Sequence, residues 1–334
     1  MHRLARIPAY GIFALLGLAQ PASAADLTIR FAWTIPPHTA TGDQAEAIAK
    51  NIEAMSHGKI AVQTYPAGSL VNQSTMGQAL SNNTVNMGIL GVHWWSSREP
   101  ALDWDSIPFL VSEPRKLMPA FHGQLGDDMN AVLAKHGVTL IGWGFYGYSI
   151  SYTNVKHPIR VPADLEGLKM RSDGRLNGVF MKEQGAIPVA VDSSEVYTAL
   201  QRGTLDGAAS GLASFVSRKW MEVCKYVTPI HYSPSVYPVQ ANAAWWKGLT
   251  QEQRDIISKA IEATEEPNLK EIEDAFQNDM AVLEKAGLEL YRPNADELNL
   301  WHAAEASATE TYLKSAGPTG QKMLDQVKAA MAAN

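Results

Sequence analysis

The sequence has almost no cysteine: Cys224 is the only one among 334 residues, which excludes an internal disulfide. The nine histidines are scattered, without the H-E-x-x-H pattern or the cysteine cluster that would indicate a zinc site. No G-x-S-x-G sequence marks a nucleophile elbow, and a net charge of −6 gives no basic footprint for nucleic acid. These absences argue against a disulfide scaffold, a zinc enzyme and a nucleic-acid-binding protein. We expect no metal and no cofactor.

Long apolar runs are also missing, apart from a short one near the start. Arg3 and Arg6 form a positively charged segment, residues 12–18 are apolar, and Pro21-Ala22-Ser23-Ala24 is a small-residue cleavage site. This order is typical of a secretory signal peptide. The apolar run is short for a membrane span of about 20 residues. We therefore expect residues 1–25 to be a signal peptide and the mature protein to be exported rather than embedded in a membrane.

The stretch 168–220 alternates between strand and helix patterns, and the rest of the chain is organised around it. Strands are predicted at 168–172 and 205–210, and the β-branched run 187–191 is expected to be a parallel strand covered on both faces. The intervening helices are predicted to end before Gly185 and Gly203, and Ser193 or Ser194 to cap the second of them. Such units build a doubly wound sheet, whose ligands bind outside the carboxyl ends of its strands.

The flanking regions follow the same logic. Thr41 is predicted to cap a helix that runs to Met55, and the other predicted strands cover 27–32, 60–65, 85–90, 138–142, 148–153 and 239–246. Beyond them, Thr250 and Gln253 form a capping box that opens a helical region to residue 286. Pro267 either starts a second helix there or kinks a single long one. The tail to Asn334 is predicted to be helical.

Several of these segments resemble the signature of a known family, the extracytoplasmic solute receptors of TRAP transporters (DctP family). The matching pieces are Leu165-Glu166-Gly167-Leu168-Lys169-Met170-Arg171, Ser194-Glu195-Val196-Tyr197-Thr198-Ala199-Leu200-Gln201, Gly203-Thr204-Leu205-Asp206-Gly207, Pro66-Ala67-Gly68-Ser69-Leu70 and Ile107-Pro108-Phe109-Leu110. The resemblance covers nearly all of the chain after the first two dozen residues. It implies the α/β fold of periplasmic binding proteins, with two doubly wound α/β lobes joined by hinge strands and a long helix that close over a ligand. The expected boundaries are 26–149 with about 238–280 for the first lobe, and 150–237 with about 281–334 for the second.

Arg171 is the first candidate for ligand binding. A guanidinium at a strand end can make two parallel charge-assisted hydrogen bonds to a carboxylate, although a structural arginine is the alternative from sequence alone. The resemblance implies that Arg171 holds the ligand's carboxylate. Ser210 stands where many relatives carry an asparagine, so it would bond the ligand directly or through water. Ser193 matches a position that contacts the ligand in some relatives.

A second arginine of many relatives is missing here, because Tyr148-Ser149-Ile150-Ser151 occupies its position. Arg175, one helical turn beyond Arg171, is a possible replacement, with a solvated first-turn residue as the alternative. Aromatic rings also follow predicted strand ends, at Trp33, Trp94, Trp95 and Tyr146. They favour a flat or apolar ligand body, with core packing as the alternative. Phe215 follows Ser210 by just over one helical turn and is a candidate for either role.

Residues 142–147 form a G-x-G-x-x-G sequence, but a strand pattern rather than a helix follows it, which argues against a nucleotide site. We expect a periplasmic substrate-binding subunit, not an enzyme. It would bind a small organic acid, with an aromatic monocarboxylate preferred, and dock on inner-membrane TRAP permease subunits. The alternatives are a secreted α/β hydrolase or lyase that uses His93 or His231, and a periplasmic ligand sensor. Sequence does not identify the ligand.

Overall fold

The computed structural model describes residues 25–230 and 233–333 and contains two mixed β-sheets covered by helices. Its strands are β1 (Leu27–Trp33), β2 (Ile60–Tyr65), β3 (Met87–Ile89), β4 (Val138–Gly142), β5 (Phe145–Ser149), β6 (Ser151–Asn154), β7 (Lys169–Ser172), β8 (Ile187–Ala190), β9 (Gly207–Ser210), β10 (Tyr226–Thr228), β11 (Ser233–Val236), β12 (Val239–Asn242) and β13 (Glu289–Leu290). Its α-helices are α1 (Ala40–Met55), α2 (Gln73–Ser81), α3 (Met118–Phe121), α4 (Gln124–Ala134), α5 (Arg175–Glu183), α6 (Val196–Gln201), α7 (Leu212–Ser217), α8 (Ala243–Gly248), α9 (Gln251–Lys285) and α10 (Ala295–Ala332). The predicted fold class is confirmed.

The first sheet has the order β2-β1-β3-β12-β4. β1 lies parallel to β2 and β3, whereas β12 runs antiparallel to both of its neighbours. The carboxyl ends of β1 and β3 and the start of β12 therefore meet at one edge. We call this sheet and the helices packed on it the first lobe.

The second sheet has the order β13-β10-β6-β9-β7-β8. We call this sheet and the helices packed on it the second lobe. β7, β8 and β9 are parallel, so their carboxyl ends share one edge. The prediction that the strand near Ile187 is covered on both faces is wrong. β8 lies at the end of the sheet, and Ile187 is 50% exposed. A β-branched apolar run predicts a strand, but it does not distinguish a central strand from an edge strand.

The Asp206-Gly207 pair of the family signature has a structural reason. A Cβ on Gly207 would lie 2.4 Å from the carbonyl oxygen of Thr153 on the neighbouring strand, so only glycine fits there. The carboxylate of Asp206 accepts a hydrogen bond from the backbone N–H of Lys169 at 3.0 Å. The motif thus fixes how β9 sits between its two neighbours.

The chain crosses between the lobes at β5 and β6. The single strand predicted at 148–153 is two strands, because Ile150 between them has a φ of 60°. β5 pairs with β11 in a separate two-stranded ribbon, and β6 enters the second sheet. This ribbon supplies the predicted hinge strands.

Helix α9 connects both lobes. Thr250 and Gln253 form the predicted capping box, and Pro267 lies inside one continuous helix rather than at the start of a second. The helix packs Ile257 in the core of the first lobe and Leu283 in that of the second. Beside the proline, Asn268 accepts a hydrogen bond from the backbone N–H of Phe145 at 2.8 Å, which ties the middle of α9 to β5.

Helix α10 also contacts both lobes. Near its start Trp301 is fully buried in the second lobe, while the hydroxyl of Tyr312 donates to the carbonyl oxygen of Ala101 in the first lobe at 2.8 Å. Gly317 interrupts the helix with non-helical backbone angles. The lobe boundaries given above stay a prediction.

Two local predictions are wrong because a neighbouring group competes. Thr39, not Thr41, caps α1, since the hydroxyl of Thr41 donates to the buried carbonyl of Phe145. The strand predicted over 239–246 ends at Asn242, whose side chain accepts from the N–H of Trp245 and starts α8. Asn is a strong N-cap residue, and its capping hydrogen bond starts a helix where the aromatic run had suggested that the strand continues.

Candidate functional site

The edge where β7, β8 and β9 end faces the first lobe. Arg171 lies on β7, Ser193 follows β8 and Ser210 ends β9, so three of the candidate residues converge there. The first lobe contributes the segments after β1 and β3. The side-chain oxygen of Gln73 on α2 accepts from the backbone N–H of Ser193 at 3.1 Å, which is one of the contacts that join the lobes.

The guanidinium of Arg171 is completely buried. Its Nη1 lies 2.8 Å from Oδ1 of Asp173, and its other N–H groups donate to the carbonyl oxygens of Val191 (3.2 Å) and Ala209 (2.9 Å) and to Oγ of Ser193 (3.0 Å). Among the described residues these contacts leave at least one of the five N–H donors of arginine unused. Arg171 is therefore held rigidly, and a carboxylate of the protein already neutralises its charge.

The prediction that Ser193 or Ser194 caps α6 is wrong. The N-cap residue of this helix is Glu195, and it makes no side-chain cap hydrogen bond. The hydroxyl of Ser193 instead accepts from Arg171 and donates to Oε1 of Gln73 at 2.8 Å. Ser193 thus links the buried arginine to the first lobe.

Ser210 belongs to a chain of buried hydroxyl groups. Its Oγ donates to Oγ of Ser214 at 3.1 Å, and Ser214 lies 2.6 Å from the hydroxyl of Tyr146. Burial raises the pKa of Tyr146 to about 12, so its hydroxyl stays protonated. The ring of Tyr146 lies 5.4 Å from that of Tyr237, which follows β11. These hydroxyls can donate to or accept from a polar ligand.

Arg175 does not join this group. Its Nη2 lies 3.2 Å from Oδ2 of Asp103 and donates to Oγ of Ser315 at 2.9 Å. Asp103 is fully buried, and burial raises the pKa of its carboxyl to about 7, while the charge of Arg175 lowers it. Because Asp103 belongs to the first lobe, this ion pair joins the lobes.

A buried histidine lies next to the site. Nδ1 of His93 lies 3.1 Å from Oδ2 of Asp105, which also accepts from the backbone N–H of Val236 in β11. Burial alone would lower the pKa of His93, but the charge and hydrogen bond of Asp105, with smaller effects from Asp173 and Asp103, raise it to about 9. His93 is therefore an imidazolium at neutral pH. Its Nε2 has no hydrogen-bond partner among the described residues.

A cavity of about 650 Å³ opens between the lobes. The first lobe contributes His93 and Trp94 to its wall, and the second lobe contributes Ser172 and Gly174, which flank Asp173, and also Arg175. A depression of about 830 Å³ on α10 is larger, but its charged side chains are exposed at the surface. The candidate site is thus the interlobe cavity together with the buried charges at its edge.

The aromatic candidates separate into two groups. Trp94 and Tyr146 lie at the interface between the lobes. Trp33 is buried in the first-lobe core, and Trp95 packs there with its Nε1 donating to Gln240 at 3.0 Å. Phe215 is buried in the second-lobe core, 5.6 Å from the ring of Trp220. The alternative of core packing therefore applies to Trp33, Trp95 and Phe215.

Sequence reasoning missed two charged residues of this site. Asp173 stands two positions after Arg171, a spacing that places both side chains on the same face of an extended segment. Arg218 caps the C-terminal end of α7 and follows Ser214 by one helical turn. Both spacings were visible in the sequence, but nothing in it indicated that Asp173 pairs with Arg171 or that Arg218 reaches Thr34 of the first lobe.

The stability of the protein is expected to fall as pH rises from about 6.5 to 9. His93 has a raised pKa, so its contribution is fully present below its ordinary value of 6.5 and is lost as pH rises through about 9. Buried Asp103, whose pKa is raised from 3.8 to about 7, acts in the same direction but at lower pH, and its effect is complete by about pH 7. We expect a loss on the order of 1–3 kcal/mol in the free energy of unfolding, measured by urea denaturation across this range.

The matched variants for this measurement are His93→Gln and His157→Gln, because His157 is exposed. The first should flatten the decline above pH 6.5, and the second should leave it unchanged. An unchanged slope in His93→Gln would contradict the assigned role of this histidine.

Predictions that concern residues outside the described ranges are not tested by the structure. His231 and residues 1–24 of the signal peptide predicted at 1–25 lie outside the described residues. No helix within 25–230 and 233–333 is long and apolar enough to span a bilayer. The described ranges also contain no cluster of three or more His, Cys, Asp or Glu side chains that could hold a metal ion.

Two α/β lobes that close over a cavity lined from both sides define a ligand-binding protein of the periplasmic-binding-protein class. Residues 31–315 match the sequence model of the DctP family, described as bacterial extracellular solute-binding protein, family 7. The chain therefore belongs to this family, whose members include the periplasmic solute-binding proteins of TRAP transporters. The resemblance found in the sequence is confirmed.

Several relatives are similar over most of their length. The chain is 28% identical to the 2,3-diketo-L-gulonate-binding periplasmic protein YiaO of Escherichia coli over 262 residues, which cover 76% of this chain and 78% of that protein. It is also 28% identical over 330 residues to the C4-dicarboxylate-binding periplasmic protein DctP of Rhodobacter capsulatus, with 95% of each chain covered. Among solved structures, the sugar acid binding protein DctPAm of Advenella mimigardefordensis in complex with galactonate superimposes with a TM-score of 0.85 at 22% identity. The superposition covers 91% of this chain and 98% of that chain, and it shows the shared fold.

Proposed function

We propose that this protein is the periplasmic substrate-binding subunit of a TRAP-type transporter and that it binds a small organic acid between its two lobes. The observation that carries the proposal is the guanidinium of Arg171, which is fully buried at a strand end beside the interlobe cavity. Arg171 is paired with Asp173, yet its contacts with the described residues leave at least one N–H donor unused. A buried guanidinium with a remaining donor at a strand end favours a role in binding a carboxylate. The relatives named above bind acids according to their names, which supports the same ligand class.

In this proposal the remaining N–H of Arg171 donates to the ligand's carboxylate. The hydroxyl groups of Ser210, Ser214 and Tyr146 form hydrogen bonds to its polar groups. Trp94 covers its body from the first lobe, and the imidazolium of His93 offers its Nε2–H to a further acceptor. Ser193 and Gln73 couple occupation of the site to closure of the lobes, because their hydrogen bonds join Arg171 to α2. The closed form then docks on inner-membrane permease subunits.

A screen of the full chain against organic acids by thermal shift tests this proposal. A ligand that binds only the native state raises the free energy of unfolding by RT ln(1 + [L]/Kd), about 2.7 kcal/mol at a hundredfold excess over Kd. Acids that shift the transition are then titrated by calorimetry, where a scavenging receptor should bind one equivalent at about micromolar Kd, or roughly −8 kcal/mol. Turnover of a bound acid by the pure protein, or no binding across the screen by folded protein, would contradict the proposal.

A further inference from the structure

The buried charges between the lobes are paired with one exception. In the described part of the chain, Arg171 lies against Asp173, Arg175 against Asp103, and His93 against Asp105. Each pair has one positive and one negative partner, so the three pairs together add little net charge. The cation left over is Arg218, for which no ion pair occurs within the described ranges.

Arg218 reaches from the second lobe to the first. Its Nη2 donates to the carbonyl oxygen of Thr34, just after β1, at 2.7 Å. Its Nε is buried and has no hydrogen-bond partner among the described residues. A buried donor without a partner is rare in native proteins, because it loses its water and gains nothing in return. The Nε of Arg175 is also buried without a partner among the described residues, but the charge of Arg175 is balanced by Asp103, whereas Arg218 still calls for an anionic acceptor.

Arg218 follows α7, one turn after Ser214, whose hydroxyl contacts Ser210 and Tyr146 of the candidate site. Burial lowers the pKa of its guanidinium and the charge of Arg171 lowers it further, whereas Tyr146, Tyr237 and Asp173 act in the opposite direction. The charges of both members of the Arg171–Asp173 pair thus reach Arg218. Asp279, whose charge also acts on Tyr146, lines a different and much smaller pocket. Arg218 nonetheless remains a cation, since arginine is not deprotonated in proteins.

We propose, resting on the proposed function, that Arg218 supplies the net positive charge of the site and that the ligand is therefore a monocarboxylate. Asp173 selects a monocarboxylate that carries a hydroxyl or ammonium donor. One carboxylate balances the charge of Arg218 and accepts its Nε–H together with the unused N–H of Arg171. Lys182 on the cavity wall is exposed to solvent. A second carboxylate therefore has no buried cation left to balance it and would face Asp173, which repels it. A hydroxyl or ammonium group on the ligand instead donates to the carboxylate of Asp173. Arg218, rather than Arg175, thereby takes over from the arginine that is missing before Ser151.

The test uses two matched pairs of acids in calorimetry with the full chain. Galactarate has a carboxylate where D-galactonate has a terminal hydroxymethyl group, and succinate differs from 4-hydroxybutyrate in the same way. The wild-type protein should bind the monoanion of a pair at least about tenfold more tightly than the dianion, because an unbalanced buried charge is costly. Arg218→Gln should weaken binding of that monoanion by about tenfold or more, while Arg218→Lys, which keeps the charge, should retain the preference.

Asp173→Asn removes a negative charge from the site and should reduce the preference for the monoanion by about tenfold. Arg202→Gln, a change of an exposed arginine at the end of α6, is the matched control and should bind like the wild type. Thermal unfolding of each variant establishes that it is folded. A dianion that binds as tightly as its partner, or a folded Arg218→Gln variant with unchanged affinity, overturns the assignment of Arg218 while leaving the proposed function intact. If no member of either pair binds and the wider screen also fails, the proposed function fails with it.

Discussion

Replacing Arg171 by alanine is expected to weaken binding of the organic acid by at least about tenfold, because truncating one partner of a buried charged pair costs about 2–5 kcal/mol. The same change should destabilise the protein, since it leaves Asp173 buried without its cation. Removing one side of a buried ion pair costs about 3–5 kcal/mol. Calorimetry with the acid selected by the screen, and urea denaturation without it, measure the two effects separately.

A double variant separates recognition from stability. In Arg171→Ala with Asp173→Asn, the unpaired carboxylate is removed, so much of the lost stability should return while binding stays weak. Arg202→Ala is the control for the loss of an exposed arginine. If Arg171→Ala binds with unchanged affinity, Arg171 is a structural residue only, and the Arg–carboxylate part of the proposal fails.

Replacing Trp301 by alanine is expected to lower the free energy of unfolding by about 3–5 kcal/mol, the usual cost of truncating a buried aromatic side chain to alanine. The ring is fully buried and stacks on Tyr152 at 5.4 Å, and its Nε1 donates to the carbonyl oxygen of Arg160 at 2.9 Å. The variant therefore loses packing and leaves a backbone acceptor unpaired. Because Trp301 anchors α10 to the second lobe, this part of the protein should open first in hydrogen exchange.

Leu300, the preceding residue on α10, is the matched control because it is 54% exposed. Leu300→Ala should change the free energy of unfolding by no more than about 0.5 kcal/mol, as surface substitutions usually do. A similar loss in both variants would mean that the helix itself, rather than the buried ring, determines the effect. A loss below about 1 kcal/mol in Trp301→Ala would contradict the packing described here.

The sequence predicted the layout of the site better than its interactions. Strands and helices recur with clear periodicity from Leu27 to Ser210, and the positions of β1, β2, β7 and β9 follow from it. Arg171 was a candidate because ligands of doubly wound sheets bind at the carboxyl ends of the strands, whereas Ser193 and Ser210 came from the family resemblance. The fold brings the three residues together. Local pattern and topology therefore suffice for the sheet edge and for Arg171, but not for the two serines.

What could not be predicted depends on side chains that are distant in sequence. Ser193 has the right position to cap α6, but it bonds Arg171 and Gln73, a residue 120 positions away. The pairing of Arg175 with Asp103 likewise joins different lobes. Such contacts are decided by how the lobes close, and periodicity carries no information about that. The same reason explains why Trp33, Trp94 and Trp95 looked equivalent in sequence although Trp33 and Trp95 lie in the core.

Helix α9 has a mechanical consequence for ligand entry. It packs in the cores of both lobes, and Asn268 near its middle bonds the backbone of β5, so the helix links the two lobes mechanically. Separating the lobes must therefore bend α9 or break one of its contacts. None of the residues that line the 650 Å³ cavity belongs to α9. In the proposed function, the ligand therefore reaches the cavity without contacting this helix.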